Sequence, residues 1–165
     1  MSEPTVRERT EQPYVAIPIE ATLREWGDVN ALVPEVFAWL AARGITPAGA
    51  LFYRHRVVGG FDEKFSVEVG VPVAEPVDGD GRVVAGAKPG GRYVVAVHHG
   101  HPDGIAKSHQ ALVEWAAGQG VPLAKDGDVW GGMFESYGTD PAVEPDMDKW
   151  ETELAYLVSD PPPAR

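Results

Sequence analysis

The last third of the chain rewrites its first third. Trp39-Leu40-Ala41-Ala42-Arg43-Gly44-Ile45 returns as Trp115-Ala116-Ala117-Gly118-Gln119-Gly120-Val121: a Trp at a helix end, a Gly five residues on, then a β-branched residue. Phe65-Ser66-Val67-Glu68-Val69-Gly70-Val71-Pro72-Val73 returns as Trp150-Glu151-Thr152-Glu153-Leu154-Ala155-Tyr156-Leu157-Val158, with an aromatic first, a Glu three residues later and a Val last. The offset is 76 residues at the helices and 85 at the strands, so the second copy carries the longer loop. Two related halves in one short chain point to a pseudo-twofold domain with a cleft at the junction, and such junctions bind ligands.

Local patterning fills in each half. Tyr14 to Ile19 alternates as a first strand, with Pro18 marking an edge or a bulge. Val29, Leu32, Val33, Val36, Phe37, Leu40 and Ala41 recur at helical spacing, Gly44 closes that helix, and Pro34 either begins or kinks it. Strands follow at Ala50 to Val57 and Phe65 to Val73. The second half has an added strand at Arg82 to Ala87, a strand at Arg92 to His98, a helix capped by Asp103, and strands at Val129 to Tyr137 and Trp150 to Val158. The expected class is α+β: tandem β-α-β-β repeats forming an antiparallel sheet, with helices on one side and a ligand cleft at the repeat junction. The domain is expected over 13–158, as repeats of about 13–76 and 82–158, with 1–12 and 159–165 as flexible tails.

Bulk properties exclude several classes. The chain has no cysteine, so it carries neither disulfides nor thiolate chemistry. No apolar run is long enough to span a bilayer, and Met1 to Gln12 lacks the apolar core of a signal peptide, which reads as cytoplasmic with no membrane partner. Net charge is −11, and from Asp126 to Arg165 ten acids face two bases. That surface repels phosphate backbones, so no direct nucleic-acid binding is expected; it serves solubility, or docks a basic protein.

Chemistry concentrates on Trp130-Gly131-Gly132-Met133-Phe134-Glu135-Ser136-Tyr137. On a strand, Met133, Glu135 and Tyr137 point the same way, placing a carboxylate between a thioether and a phenol. Either that face is exposed and Glu135 is solvated, or the carboxylate is desolvated and needs a partner, for which an aromatic cation is well suited. Gly131 and Gly132 admit a ligand or a facing strand. Tyr53, on the matching strand, either faces Tyr137 across the cleft or packs in the sheet. Trp39, Trp130 and Tyr156 are further ligand-contact candidates, with core packing as the alternative. Glu68 and Glu153 hold equal positions in the copies and read as paired or solvated, with a pocket role as the alternative. His98-His99-Gly100-His101 sends adjacent imidazoles to opposite faces, so no metal and no cofactor are expected. His109 lies on the apolar helix face as a core-edge histidine, and Ser108 beside it points elsewhere, so a Ser-His-Asp triad is not supported.

Lys88-Pro89-Gly90-Gly91-Arg92-Tyr93-Val94-Val95-Ala96-Val97-His98-His99-Gly100, the helix ending Glu114-Trp115, Phe134-Glu135-Ser136-Tyr137-Gly138-Thr139-Asp140-Pro141, Thr152-Glu153-Leu154, and Val67-Glu68-Val69-Gly70-Val71-Pro72-Val73 together resemble the GyrI-like small-molecule-binding domain. This is the effector-binding domain found behind the DNA-binding domains of AraC- and MerR-type multidrug regulators. The resemblance runs from about Tyr14 to Val158. It implies a tandem strand-helix-strand-strand fold whose concave junction binds aromatic, often cationic compounds, with the family acid matching Glu135 and the following aromatic matching Tyr137. Some stand-alone relatives inhibit gyrase, and others hydrolyse cyclopropane-bearing alkylators with an acid and aromatics in the same cleft. Gly100-His101-Pro102 departs from the Gly-Pro-aromatic pattern of many relatives, so the start of the second helix is expected to differ.

Three functions follow as expectations: binding amphipathic aromatic, possibly cationic, small molecules for sensing or sequestration; hydrolysis of electrophilic small molecules with Glu135 as acid or base; or an acidic protein-interaction module resembling a gyrase inhibitor.

Overall fold

A computed structural model describes residues 1–139 and 143–159. Its strands are β1 (Thr5–Arg9), β2 (Gln12–Ala21), β3 (Phe52–Val57), β4 (Phe65–Pro72), β5 (Val84–Lys88), β6 (Gly91–His99), β7 (Lys125–Asp126), β8 (Val129–Trp130), β9 (Met133–Tyr137) and β10 (Glu151–Leu157); its helices are α1 (Trp26–Asn30), α2 (Leu32–Ala42) and α3 (Ile105–Gly118). Eight strands form one antiparallel sheet in the order β1-β6-β10-β9-β3-β4-β2-β5, and β7 and β8 form a separate ribbon.

That order is its own mirror image about the β9·β3 pair. Each half is β-β-α-β-β, and the first strand of each crosses to the edge of the other: β1 pairs with β6, and β5 pairs with β2. The expected loose tail over 1–12 is therefore corrected. Thr5–Arg9 is the counterpart of β5, and Ser2 N–H donates to Val97 O. Its charged sequence, Thr-Val-Arg-Glu-Arg, looked like a tail because an edge strand need bury little, and charge on an edge guards against stray pairing. Of the expected tail at 159–165, Ser159 N–H donates to Pro122 O; residues 160–165, with the Pro161-Pro162-Pro163 stub, lie outside the described residues, as do Asp140 and Pro141.

Alternation assigns the two faces of the sheet. Val15, Ile17, Tyr53, Val67, Val69 and Val71 pack under α2, through Leu32, Val36 and Leu40. Val94, Ala96, Met133, Leu154 and Tyr156 pack under α3, through Leu112 and Ala116. Both helices cover one face because both draw on the same register of the central strands. Pro34 falls in the first turn of α2, where its missing N–H has no carbonyl to meet. Gly44 follows the helix at φ 66°. His101, rather than Asp103, opens the second helical segment, its Nδ1 accepting from Asp103 N–H.

The other face carries Tyr14, Ala16, Phe52, Tyr93, Val95, Phe134 and Ala155. Phe52 is fully buried, and a Cβ on Gly70 would lie 2.5 Å from its Cζ. Gly70→Ala is therefore expected to destabilise the fold by about 1–3 kcal/mol through overpacking, read as a lower denaturation midpoint with an unchanged m-value.

Candidate functional site at the junction of the halves

The β3·β9 pair lies at the pseudo-twofold axis. Its register sets Tyr53 opposite Glu135, Phe52 opposite Ser136 and Arg54 opposite Phe134. In symmetry terms Tyr53 is the counterpart of Glu135, and His55 is the counterpart of Tyr137. All four side chains lie on the helix-covered face, where the two cores meet.

Glu135 is 6% exposed, and both carboxylate oxygens are engaged. Oε1 accepts from Tyr137 Oη–H at 2.7 Å. Oε2 lies 2.5 Å from His109 Nε2 on α3 and 3.2 Å from His55 Nε2. The His55 contact is close but out of line for a hydrogen bond. His109 Nδ1 in turn lies 2.7 Å from Tyr156 Oη. With Nε2–H donating to Glu135, Nδ1 accepts from Tyr156, and a chain Tyr156–His109–Glu135–Tyr137 crosses the junction.

Electrostatics keep the charge on the carboxylate. Burial pushes its pKa up, but the nearby His55 and the hydrogen-bonded His109 outweigh burial and hold it well below the usual carboxylate value. Burial, reinforced by Glu135, raises Tyr53, Tyr137 and Tyr156, so these phenols keep their protons. One anionic group is thus encircled by neutral hydroxyls and two imidazoles.

Rings complete the enclosure. Tyr53 meets Tyr137 edge-on at 5.1 Å, and Trp26 of α1 stacks on His55 at 6.0 Å. His109 meets Tyr156 at 5.6 Å, and Trp130 meets Tyr156 at 5.0 Å. Asn30 of α1 accepts from Tyr53 Oη–H at 2.7 Å. The open hollow expected at this junction is filled by these side chains. A guest must displace some of them: His109, from α3, lies against the carboxylate, and Trp26, from α1, covers His55.

Of the sequence-derived candidates, Glu135, Tyr137, Tyr53, Tyr156 and Trp130 come together here. Met133 lies one register step away on the same face, buried opposite Tyr156. Trp39 does not join them: no ring contact links it to the cluster, and the Arg43 guanidinium sits 3.9 Å from its ring centroid. Its symmetry-matched place at a helix end belongs to the first-half core. Gly131 and Gly132 serve protein contacts, since a Cβ would lie 2.9 Å from Ala124 Cβ or 2.8 Å from Leu157 Cβ. Sequence reasoning missed Trp26, His55 and His109. The register of β3 against β9 would have flagged His55, and a polar residue on the apolar stripe of α3 was the signal for His109.

Other candidates have structural partners. Glu68 accepts from Tyr14 Oη–H and Arg56, and Glu153 pairs with Arg9 at 2.7 Å. His98 Nδ1 lies 2.6 Å from Ser108 Oγ. Among the described residues no cluster of three or more metal-ligating side chains occurs, and no helix is long and apolar enough to cross a membrane.

Residues 2–155 match the family described as the GyrI-like small molecule binding domain, and the chain belongs to that family. No curated protein sequence matches it significantly. Its fold resembles the C-terminal domain of EcmrR, at 18% identity and TM-score 0.78, covering 98% of this chain and 99% of that one. It also resembles EcmrR in a DNA complex, at 18% identity and TM-score 0.81, covering 94% of this chain and 57% of that one, so the chain spans little more than half of that protein. SAV2435 bound to tetraphenylphosphonium resembles it at 13% identity and TM-score 0.64, covering 95% of this chain and 94% of that one.

Proposed function

We propose that this member of the GyrI-like family binds amphipathic aromatic cations at Glu135. The observation that carries this reading is an ionised, almost fully buried carboxylate ringed by aromatic side chains, whose ion-pair contacts among the described residues are the two imidazoles of His55 and His109. An imidazole can leave the carboxylate as a neutral group, whereas an arginine cannot. A lipophilic cation reaching Oε2 takes the place of an imidazole, neutralises the carboxylate, and lays its rings against Tyr53, Tyr137 and Tyr156, whose faces attract positive charge. The likeness to a protein solved with tetraphenylphosphonium supports this ligand class.

The test is a paired titration with tetraphenylphosphonium and neutral triphenylphosphine oxide, followed by quenching of tryptophan fluorescence, since Trp26 and Trp130 border the site. The cation is expected to bind at least about tenfold more tightly, as one unscreened charge contact is worth about 1.4 kcal/mol or more. Equal affinity for the two, or no quenching by the cation, would overturn the reading.

A further inference from the structure

The sheet face turned away from α2 and α3 holds a cavity of about 530 Å³, within the roughly 300–1,000 Å³ typical of small-molecule sites. Phe134, Tyr93 and Pro72 line it, and Lys88, the last residue of β5, enters it from the edge of the first half. It uses the opposite register of β9 from the Glu135 cluster, Phe134 and Ser136 in place of Met133, Glu135 and Tyr137.

Lys88 is the unusual group. Its Nζ lies 4.2 Å from the Phe52 ring centroid and 5.1 Å from that of Phe134. Among the described residues it has no ion pair and no hydrogen bond. The neighbouring charges are committed elsewhere. Arg9 pairs with Glu153 at 2.7 Å. Arg54 donates to Tyr14 Oη, Ala87 O and Gly131 O, and Arg56 donates to Glu68. Glu8 also lines the cavity but is exposed and makes no ion pair with Lys88. Burial lowers the ammonium to about 8, with Glu153 offsetting only part of that. A chain of net charge −11 has thus placed an uncompensated, partly dehydrated cation in a cavity floored by aromatic rings.

We propose that this cavity is a second small-molecule site, selective for organic anions, which seat a carboxylate or sulfonate on Lys88 Nζ and an apolar body against Phe134, Tyr93 and Pro72. An anion restores the interactions that burial removed from the ammonium, and the contact is stronger for lying out of bulk water. The apolar floor supplies affinity that a bare inorganic anion cannot collect, so size and hydrophobicity enter the selectivity together with charge.

The probe is 2-naphthoate against its neutral analogue 2-naphthamide, titrated calorimetrically into the wild-type protein, Lys88→Met, Lys88→Arg and Glu135→Gln. Expected are naphthoate binding about tenfold or more above naphthamide, its loss in Lys88→Met, recovery to within about threefold in Lys88→Arg, and no change in Glu135→Gln. Lys88→Met should fold, because burial disfavours the charge it removes. Should it not fold, acylation of wild-type Lys88 by acetic anhydride, read by mass spectrometry, replaces it: naphthoate must protect Lys88 at least about threefold, in line with an occupied charge contact. No naphthoate binding, undiminished binding in folded Lys88→Met, absence of protection, or loss in Glu135→Gln would each overturn the proposal. Failure of tetraphenylphosphonium to bind would leave it standing, because that probe reports on the other face.

Discussion

Glu135→Gln is expected to weaken tetraphenylphosphonium binding by about 100-fold or more, a loss of about 3 kcal/mol, while leaving triphenylphosphine oxide binding within about threefold, because a neutral guest has no charge contact to lose. Gln keeps the shape and one acceptor oxygen, so Tyr137 retains its partner and the substitution isolates the charge. The cost is large because the carboxylate is 6% exposed, where water cannot stand in for the missing anion. A second signature separates this from a packing defect. The folded-state pKa of Glu135 lies well below its usual 4.5, so its stabilising contribution is complete above that value and is lost as pH falls through the folded pKa. Acid unfolding of Glu135→Gln should therefore lack that part of the slope. A variant that keeps full cation affinity, or an unchanged acid limb, would remove Glu135 from the site.

Arg54→Leu is expected to cost about 3–5 kcal/mol of stability, roughly a 10 °C drop in Tm for a chain of this size. Arg54 is 4% exposed and sits at the centre of the helix-free face. One Nη donates to Tyr14 Oη at 2.9 Å and Ala87 O at 3.1 Å, and the other to Gly131 O at 2.9 Å. It therefore ties β3 to β5 on one side and to the approach of β9 on the other, across the junction of the halves. Without it, the carbonyls of Ala87 and Gly131 lose a donor, and so does Tyr14 Oη, which itself donates to the buried Glu68. The double variant with Glu68→Gln should lose less than the two single losses added together, because Arg54, Tyr14 and Glu68 form one hydrogen-bonded chain that either change already breaks. Strict additivity would mean that the network is not a unit. Tetraphenylphosphonium affinity, measured well below the new Tm, should be unchanged, since Arg54 and Glu135 lie on opposite faces.

The duplication, the alternation along Phe65–Pro72 and Glu151–Leu157, and the stripes of α2 and α3 were legible because each depends on periods of 2 or 3.6 residues within one segment. So was the placing of Met133, Glu135 and Tyr137 on one face, which needs nothing beyond the pleat. Even the family emerged from the order of short runs. Segment-level reading cannot say which strand lies beside which. Val129 to Tyr137 read as one strand and is broken at Gly131-Gly132, where Ala124 and Leu157 leave no room for a Cβ. Thr5–Arg9 read as a tail and is an edge strand of the other half.

The candidate site divides the same way. Local sequence determined that a carboxylate and a phenol would share a strand face within an apolar setting. Tertiary structure decided that the face would be closed, that Trp26, His55 and His109 would arrive from three separate elements, and that Trp39 would stay away. The physical reason is that side-chain direction follows from backbone geometry one residue at a time, whereas neighbours from distant segments are set by strand order and register, which the whole core selects at once.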